Sequence, residues 1–457
     1  MQTLSKLVPV VALLVSTACK DLQVPNYNAQ SVTELGTGAN LAQIGTAAVG
    51  MLATSRDFET SFLQSHVALS GEFGREGIEL DPSNPQHPID RLEQIGVGEG
   101  TYAGWGTGYK LIRQGNILLG GLNTAVGMTD QQKEAVRGFA KTLQALALNR
   151  LVNVFDSSGM PVDVDIELSA PPAAIVTPEA VKTRIGDLLD QAKTHLQAGG
   201  ASFGFRLTAG FAGFDTPPNF LKFNRALRAR NAVYRQDWAT ALTALGESFI
   251  DPAASMRLGA YDIYTAASGD RTNPLFDPTC RQLFSIKENE TEAQKRADGV
   301  TLDARFTGKI QKFTAKVVHG ITVDACFLPL YPTNATAIPI IRNEELLLLR
   351  AEALWKTGNT AGAMTDINTV RVNSGSLPAL GAFPGDGPFL DELLYNRRYS
   401  LIWEGAHRWV DMRRYARLEQ LPKALAKHKI FPRLPLPSDE CVPRNNPALN
   451  CAAPSGY

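Results

Sequence analysis

The sequence lacks a surplus of charge of either sign, since 45 lysines and arginines face 45 aspartates and glutamates. A surface built for phosphates usually carries a basic excess, so nothing in this balance points to nucleic acid. Histidine is scarce: there are six, and none falls in an HExxH pattern. Neither G-x-G-x-x-G nor the P-loop pattern occurs, which removes the glycine-rich phosphate cradles of nucleotide enzymes. Long Gly/Ser or Pro-rich linkers are also missing. A chain of 457 residues at 44% hydrophobic therefore reads as one body with an ample core, although length alone would allow about three domains.

What is present begins at the N-terminus, "MQTLSKLVPVVALLVSTACKDLQVPNYN", where Lys6 precedes an apolar run over residues 7–15. That run is too short to span a bilayer and has the layout of a secretory leader. Ser16, Thr17 and Ala18 lead directly into Cys19, the arrangement of a bacterial lipoprotein signal, in which the thiol takes the lipid and then becomes the new N-terminus. Ser16 stands where such signals usually carry Leu; ordinary export, with Cys19 as a passenger, is the plainer alternative. The reading is a signal peptide over 1–18 and a single mature domain over 19–457. Loss of the leader removes only Lys6, so 44 basic groups remain against 45 acidic ones.

With Cys19 assigned to lipid, Cys280, Cys326, Cys441 and Cys451 remain, an even set with three possible pairings. In an oxidising compartment the local pairings, Cys280 with Cys326 and Cys441 with Cys451, are favoured, and closing those loops contributes about 4 and about 3 kcal/mol by chain entropy. Zinc is the competing reading, disfavoured because no CxxC pair exists and the histidines are scattered.

Helical periodicity dominates the body. Trp105, Tyr109, Ile112 and Asn116 fall on one face of a helix, which makes Trp105 a core residue. "AVRGFAKTLQALALNRLVNVF" predicts a second helix ending at the turn Asp156-Ser157-Ser158-Gly159. Thr177 as cap, Pro178 at the first position and Glu179 in the first turn place a third over about 178–197. "RNAVYRQDWATALTALGES" and "AEALWKTGNTAGAMTDINTVR" each read as helix, turn, helix: Asp237 and Ala241 match Asn359 and Ala363, and Gly358 supplies the turn that the first segment makes without glycine. This resembles the helix pair of tetratricopeptide repeats. The separation of the two alanines excludes a regular solenoid and leaves helix pairs divided by insertions.

The arginine-rich stretch "RRYSLIWEGAHRWVDMRRY", residues 397–415, is read as a helix whose apolar stripe holds Tyr399, Ile402, Trp403, Ala406, Trp409 and Val410. Glu404 and Arg408 stand at i, i+4, Asp411 is within reach of an arginine, and Gly405 would cost about 1 kcal/mol in a helix interior. An ion-paired core helix is the expectation. Glu404 and His407 have the spacing of half a di-iron motif, but the second half is missing. "GASFG", residues 200–204, fits G-x-S-x-G around Ser202, yet it follows a helix in a glycine-rich loop with no strand before it.

Several blocks in order carry a resemblance to one family. These are the lipoprotein start with "CKDLQVPNYN", the Trp105 helix, "FLKFNRALRARNAVYRQDW", "RNEELLLLRAEALWKTGN", the 397–415 block, and the closing "LPLPSDECVPRNNPALN". The chain resembles the SusD/RagB family of outer-membrane nutrient-binding lipoproteins from Cys19 to its end, although the two cysteines in the closing block look like a subgroup feature. The resemblance implies a mainly α, SusD-like fold with four tetratricopeptide-like helix pairs and an irregular portion of loops and short strands. It implies outer-membrane anchoring by lipid, facing the exterior, and a SusC-like TonB-dependent transporter as partner. It implies capture of an oligosaccharide or, in some branches, a peptide, with no covalent chemistry, cofactor or metal. A scaffold that binds only proteins is the alternative from a different class.

Under that reading the ligand contacts belong in loops. Residues 70–91 are rich in Gly, Pro and charge and follow neither structural period. Sugar rings need a flat aromatic face and planar polar groups. Phe73 and Tyr102 are candidates for the first, and Glu72, Arg75, Glu76 and Asp81 for the second. A second irregular tract, 271–334, offers Phe276, Asp277 and Tyr331, held in shape by the expected Cys280–Cys326 disulfide. Phe73 tucked inward beneath a solvated loop is the opposing expectation.

Overall fold

Helix is the main regular structure among the described residues, and several of the helices begin where the sequence provides caps. A computed structural model describes residues 35–61, 64–96, 98–167, 169–446 and 449–457; the leader and Cys19 lie outside these. Helix α1 (Leu41–Arg56) opens on a capping box between Asn40 and Gln43, and a short α2 (His66–Phe73) follows. Then come α3 (Trp105–Gly121), α4 (Asp130–Phe155) and α5 (Pro178–Ala198). Thr177 caps α5 by accepting a hydrogen bond from the Ala180 N–H at 3.3 Å, and a 3₁₀ turn at Asp156–Ser158 ends α4. The second half holds α6 (Pro217–Tyr234), α7 (Trp238–Gly246), α8 (Asn343–Lys356) and α9 (Thr360–Asn373). It closes with α10 (Asp386–Ser400) and α11 (His407–Arg414).

Among the described residues four pairs form: α1 on α3, α4 on α5, α6 on α7, and α8 on α9. Each pair also packs on the next through α3 with α4, α5 with α6, and α7 with α8. The two turns matched in sequence are built alike. Gln236 at φ 60° and Gly358 at φ 86° reverse the chain, and Asp237 and Asn359 cap the second helices through the N–H groups of Thr240 and Gly362. Ala241 and Ala363 have no exposed surface, so the paired helices meet at their backbones.

The insertions hold strands. β1 (Gly77–Glu79), β3 (Leu283–Ser285), β4 (Gln311–Val318) and β5 (Ile321–Cys326) form an antiparallel sheet in the order β1-β3-β5-β4. The register sets Ile78 opposite Phe284 and Phe284 opposite Cys326. A second ribbon pairs β2 (Gly259–Asp262) with β6 (Ile338–Arg342). Disulfides join Cys280 to Cys326 and Cys441 to Cys451. The first ties the loop before β3 to the end of β5.

The expected single helix over 397–415 is two. Helix α10 ends at Ser400, the backbone turns left-handed at Trp403 (φ 54°), Gly405 takes φ 146°, and α11 starts at His407. Gly405 is thus a turn residue that needs its positive φ, and it is not inside a helix. The apolar residues of the predicted stripe are all buried, Trp403 and Trp409 completely. Arg397 pairs with Glu352 at 2.6 Å and Asp411 at 3.0 Å, and Arg414 pairs with the same two at 2.7 and 2.8 Å. Burial would push the Glu352 carboxyl up, but Arg397 and Arg414 together hold it at about 2.

Candidate functional site

Most residues expected to touch ligand are inside the protein. Phe73 is fully buried, stacked at 5.0 Å on Trp409 with Phe431 at its edge, so it has no free face for a sugar. Arg75 is also buried; its guanidinium donates to the carbonyls of Glu72 and Lys429, each at 2.6 Å. The buried Glu76 carboxylate accepts the Trp403 N–H at 2.9 Å, and the buried Tyr331 hydroxyl donates to the Trp403 carbonyl. Two expected ligand contacts are therefore the clamps that hold the break between α10 and α11. Glu72 joins Glu79 and Glu99 around Arg91. Asp277 accepts three backbone N–H groups, from Arg281, Gln282 and Leu283, and serves the turn before β3.

The 70–91 tract has a core face after all, supplied by distant parts of the chain: α2 carries Phe73 against Trp409, Arg75 reaches Lys429, Glu76 holds the Trp403 turn, and β1 joins β3. Asp81 and Tyr102 keep accessible surface. The Asp81 carboxylate accepts from the Ser83 N–H at 2.9 Å and the Ser83 hydroxyl at 2.7 Å, and its carbonyl contacts His319 Nε2 at 2.7 Å. Phe276 is half-buried. The G-x-S-x-G serine, Ser202, is exposed and accepts only the Gly204 N–H. Among the described residues no cluster of His, Cys, Asp and Glu has metal-binding geometry.

The structure offers a different concavity, a cleft of about 350 Å³ between the β2/β6 ribbon, the short helix Ala304–Lys309 and the Trp403 turn. Tyr261 forms its aromatic wall. This side chain follows a register shift between Ala260 and Tyr261 and stands opposite Pro339, a bulge of the kind that re-aims a side chain. Its ring is half-exposed, and its hydroxyl donates to the Arg257 carbonyl. Met256, Leu330 and Pro339 add apolar surface, and Tyr331 contributes only a buried wall.

The polar wall is a preformed ion network. Arg342 grips Glu404 with Nε at 2.7 Å and Nη2 at 2.9 Å and also binds Glu344, while Lys309 reaches Glu404 at 3.3 Å. Burial would raise the Glu344 carboxyl, yet Arg342 and Lys309 hold it at about 2. Burial also pushes Lys309 below its ordinary value. One Glu344 oxygen, Oε1, is buried without a hydrogen-bond partner. An aromatic face beside planar guanidinium and carboxylate groups can hold a sugar ring by stacking and hydroxyl hydrogen bonds. Tyr261, Arg257 and Lys309 were not legible as site residues, because no motif marks them and the bulge that aims Tyr261 depends on pairing.

Stacked helix pairs carrying loops and a small sheet define a helical-repeat scaffold. No curated protein matches the chain. The SusD family's sequence profile matches residues 331–432. Solved structures share the fold. A SusD superfamily protein from Bacteroides vulgatus has TM-score 0.67 at 13% identity, covering 88% of this chain and 97% of that one. Surface glycan-binding protein A from Bacteroides thetaiotaomicron, in complex with laminarihexaose, has TM-score 0.65 at 14% identity, covering 88% and 98%. NanU of B. fragilis has TM-score 0.65 at 16% identity, covering 93% and 99%. At these identities the likeness is one of fold, SusD-like over most of the chain, and the SusD family's sequence profile adds a match over residues 331–432.

Proposed function

We propose that this chain is a cell-surface lipoprotein that binds an oligosaccharide nutrient in the Tyr261 cleft and delivers it to a SusC-like TonB-dependent transporter of the outer membrane. The observation that carries the reading is the cleft itself, a half-exposed tyrosine facing an ordered array of guanidinium and carboxylate groups. Laminarihexaose bound to a protein of the same fold supports a glycan as the ligand class. Among the described residues no helix is long and apolar enough to cross a membrane, and attachment is assigned to the lipid on Cys19. Asp81 and Tyr102 remain proposed as outer contacts because they keep accessible surface. The role is binding, without covalent chemistry. A screen of neutral and acidic oligosaccharides and of peptides against the leaderless chain tests this, with Tyr261→Ala as the control. Glycan binding that falls at least tenfold in the variant supports the reading. Peptide binding alone points to a RagB-like role, and binding of neither leaves a protein-interaction scaffold.

A further inference from the structure

The α10–α11 hairpin is dense in arginine, and almost every guanidinium there has a carboxylate. Arg397 and Arg414 share Glu352 and Asp411, Arg398 meets Glu292, Arg413 meets Asp156 at 3.4 Å, and Arg417 meets Asp391. Arg408 differs. Among the described residues no carboxylate lies within ion-pair distance of it, and its guanidinium makes one hydrogen bond, from Nη1 to the Arg75 carbonyl at 3.3 Å. A guanidinium has five N–H donors in a planar fork. Burial and the neighbouring Arg398 push the Arg408 pKa below its ordinary value, and Glu76 and Glu292, both beyond ion-pair distance, offset this only in part.

Arg408 lines a cleft of about 190 Å³ with Arg398, Arg417, Leu394, Tyr395 and Met412, and the carboxylates of Glu292, Asp391 and Asp411, each engaged by another arginine, complete the lining. The carboxylates held by Arg398 and Arg417 are poorly anchored: Glu292 and Asp391 are 54% and 64% exposed. Exposed ion pairs contribute little, so Arg417 can turn toward a bound anion, whereas Arg398 is held at the side of the cleft by Asn289 Oδ1 at 3.0 and 3.2 Å and has only its Nη1, now on Glu292, to offer. We propose that this cleft is a binding site for a small oxyanion, a sulfate or the carboxylate of an acidic sugar, with Arg408 as its main ligand and Arg398 and Arg417 at its sides. The site is separate from the Tyr261 cleft and does not depend on what that cleft binds.

The test uses the leaderless chain at constant ionic strength, with calorimetric and thermal-shift titrations of sodium sulfate, glucuronate and glucose against a chloride background. Sulfate or glucuronate should bind and raise the melting temperature beyond chloride, and glucose should not. Arg408→Gln should weaken that binding at least tenfold. Leu394→Trp, which fills the cleft but keeps the guanidinium, should do the same, and it carries the test alone if the first variant fails to fold. Response to sulfate alone marks an inorganic anion site, and response to glucuronate alone marks one that also uses the Leu394 and Met412 wall. No excess over chloride in the wild type, binding that survives both variants, or equal binding of glucose overturns the proposal.

Discussion

Trp403 shows how a residue's role depends on what surrounds it. Its left-handed backbone is uncommon for a bulky side chain and persists only when neighbours over-determine it. Glu76 and Tyr331 do this from two sides, one accepting its N–H and the other donating to its carbonyl. Tyr331→Phe leaves that buried carbonyl short of a partner and should lower unfolding free energy by about 1–3 kcal/mol without weakening glycan binding. Phe73→Ala opens a void against Trp409 and should cost about 3–5 kcal/mol. Tyr261→Ala should change stability by less than about 1 kcal/mol while weakening binding at least tenfold, or about 1.4 kcal/mol. Chemical denaturation and ligand titration on the same variants separate these roles; normal binding by Tyr261→Ala would remove the cleft from consideration.

At the level of elements, the β1 segment is closely constrained. A Cβ on Gly77 would sit 2.6 Å from both Phe327 and Trp403 and 2.7 Å from the Phe284 carbonyl, so Gly77→Ala should destabilise by about 1–3 kcal/mol through overpacking. Beside it, Arg91 meets Glu72 at 3.1 Å, Glu79 at 2.8 Å and Glu99 at 2.8 Å. Three buried carboxyls share one guanidinium, and burial, only partly offset by Arg91, pushes Glu79 up to about 8 and Glu72 and Glu99 up as well. The folded chain therefore keeps a proton that the unfolded chain releases near 4.5. This share of stability is complete below about pH 4.5 and declines as pH rises toward 8. Glu352 and Glu344 act in the opposite sense: their contribution is present above about 4.5 and disappears as pH falls through about 2. Denaturant unfolding from pH 5 to 9 should show a fall that Glu79→Gln flattens; an unchanged slope would remove Glu79 as its source.

For the whole molecule, the proposed function turns on attachment and on a partner at the outer membrane. Cys19→Ser should leave a folded chain that is lost from the membrane fraction once the transporter is also removed. Retention at the wild-type level would contradict the lipid anchor. The anchored protein should copurify with a SusC-like channel, while the leaderless form keeps its glycan affinity, since the cleft and its ion network lie within residues 256–404.

The sequence alone determined the helices and their pairing signals. Caps such as Thr177, the matched turns at Asp237 and Asn359, and the apolar stripe through Trp409 are short-range features, governed by hydrogen bonds and packing within a few turns. Even the broken helix at 401–406 did not mislead as to burial, because the apolar residues there face one core whether or not the helix is continuous. Tertiary structure decided the rest. The 70–91 tract has no period of its own, so only its contacts with Trp409, Lys429 and Trp403 could show that Phe73, Arg75 and Glu76 are interior. Tyr261 became a candidate contact only when β2 met β6 across a bulge. Arg408 is told apart from the arginines around it by the carboxylate it lacks, and no local pattern records the partner of a charge.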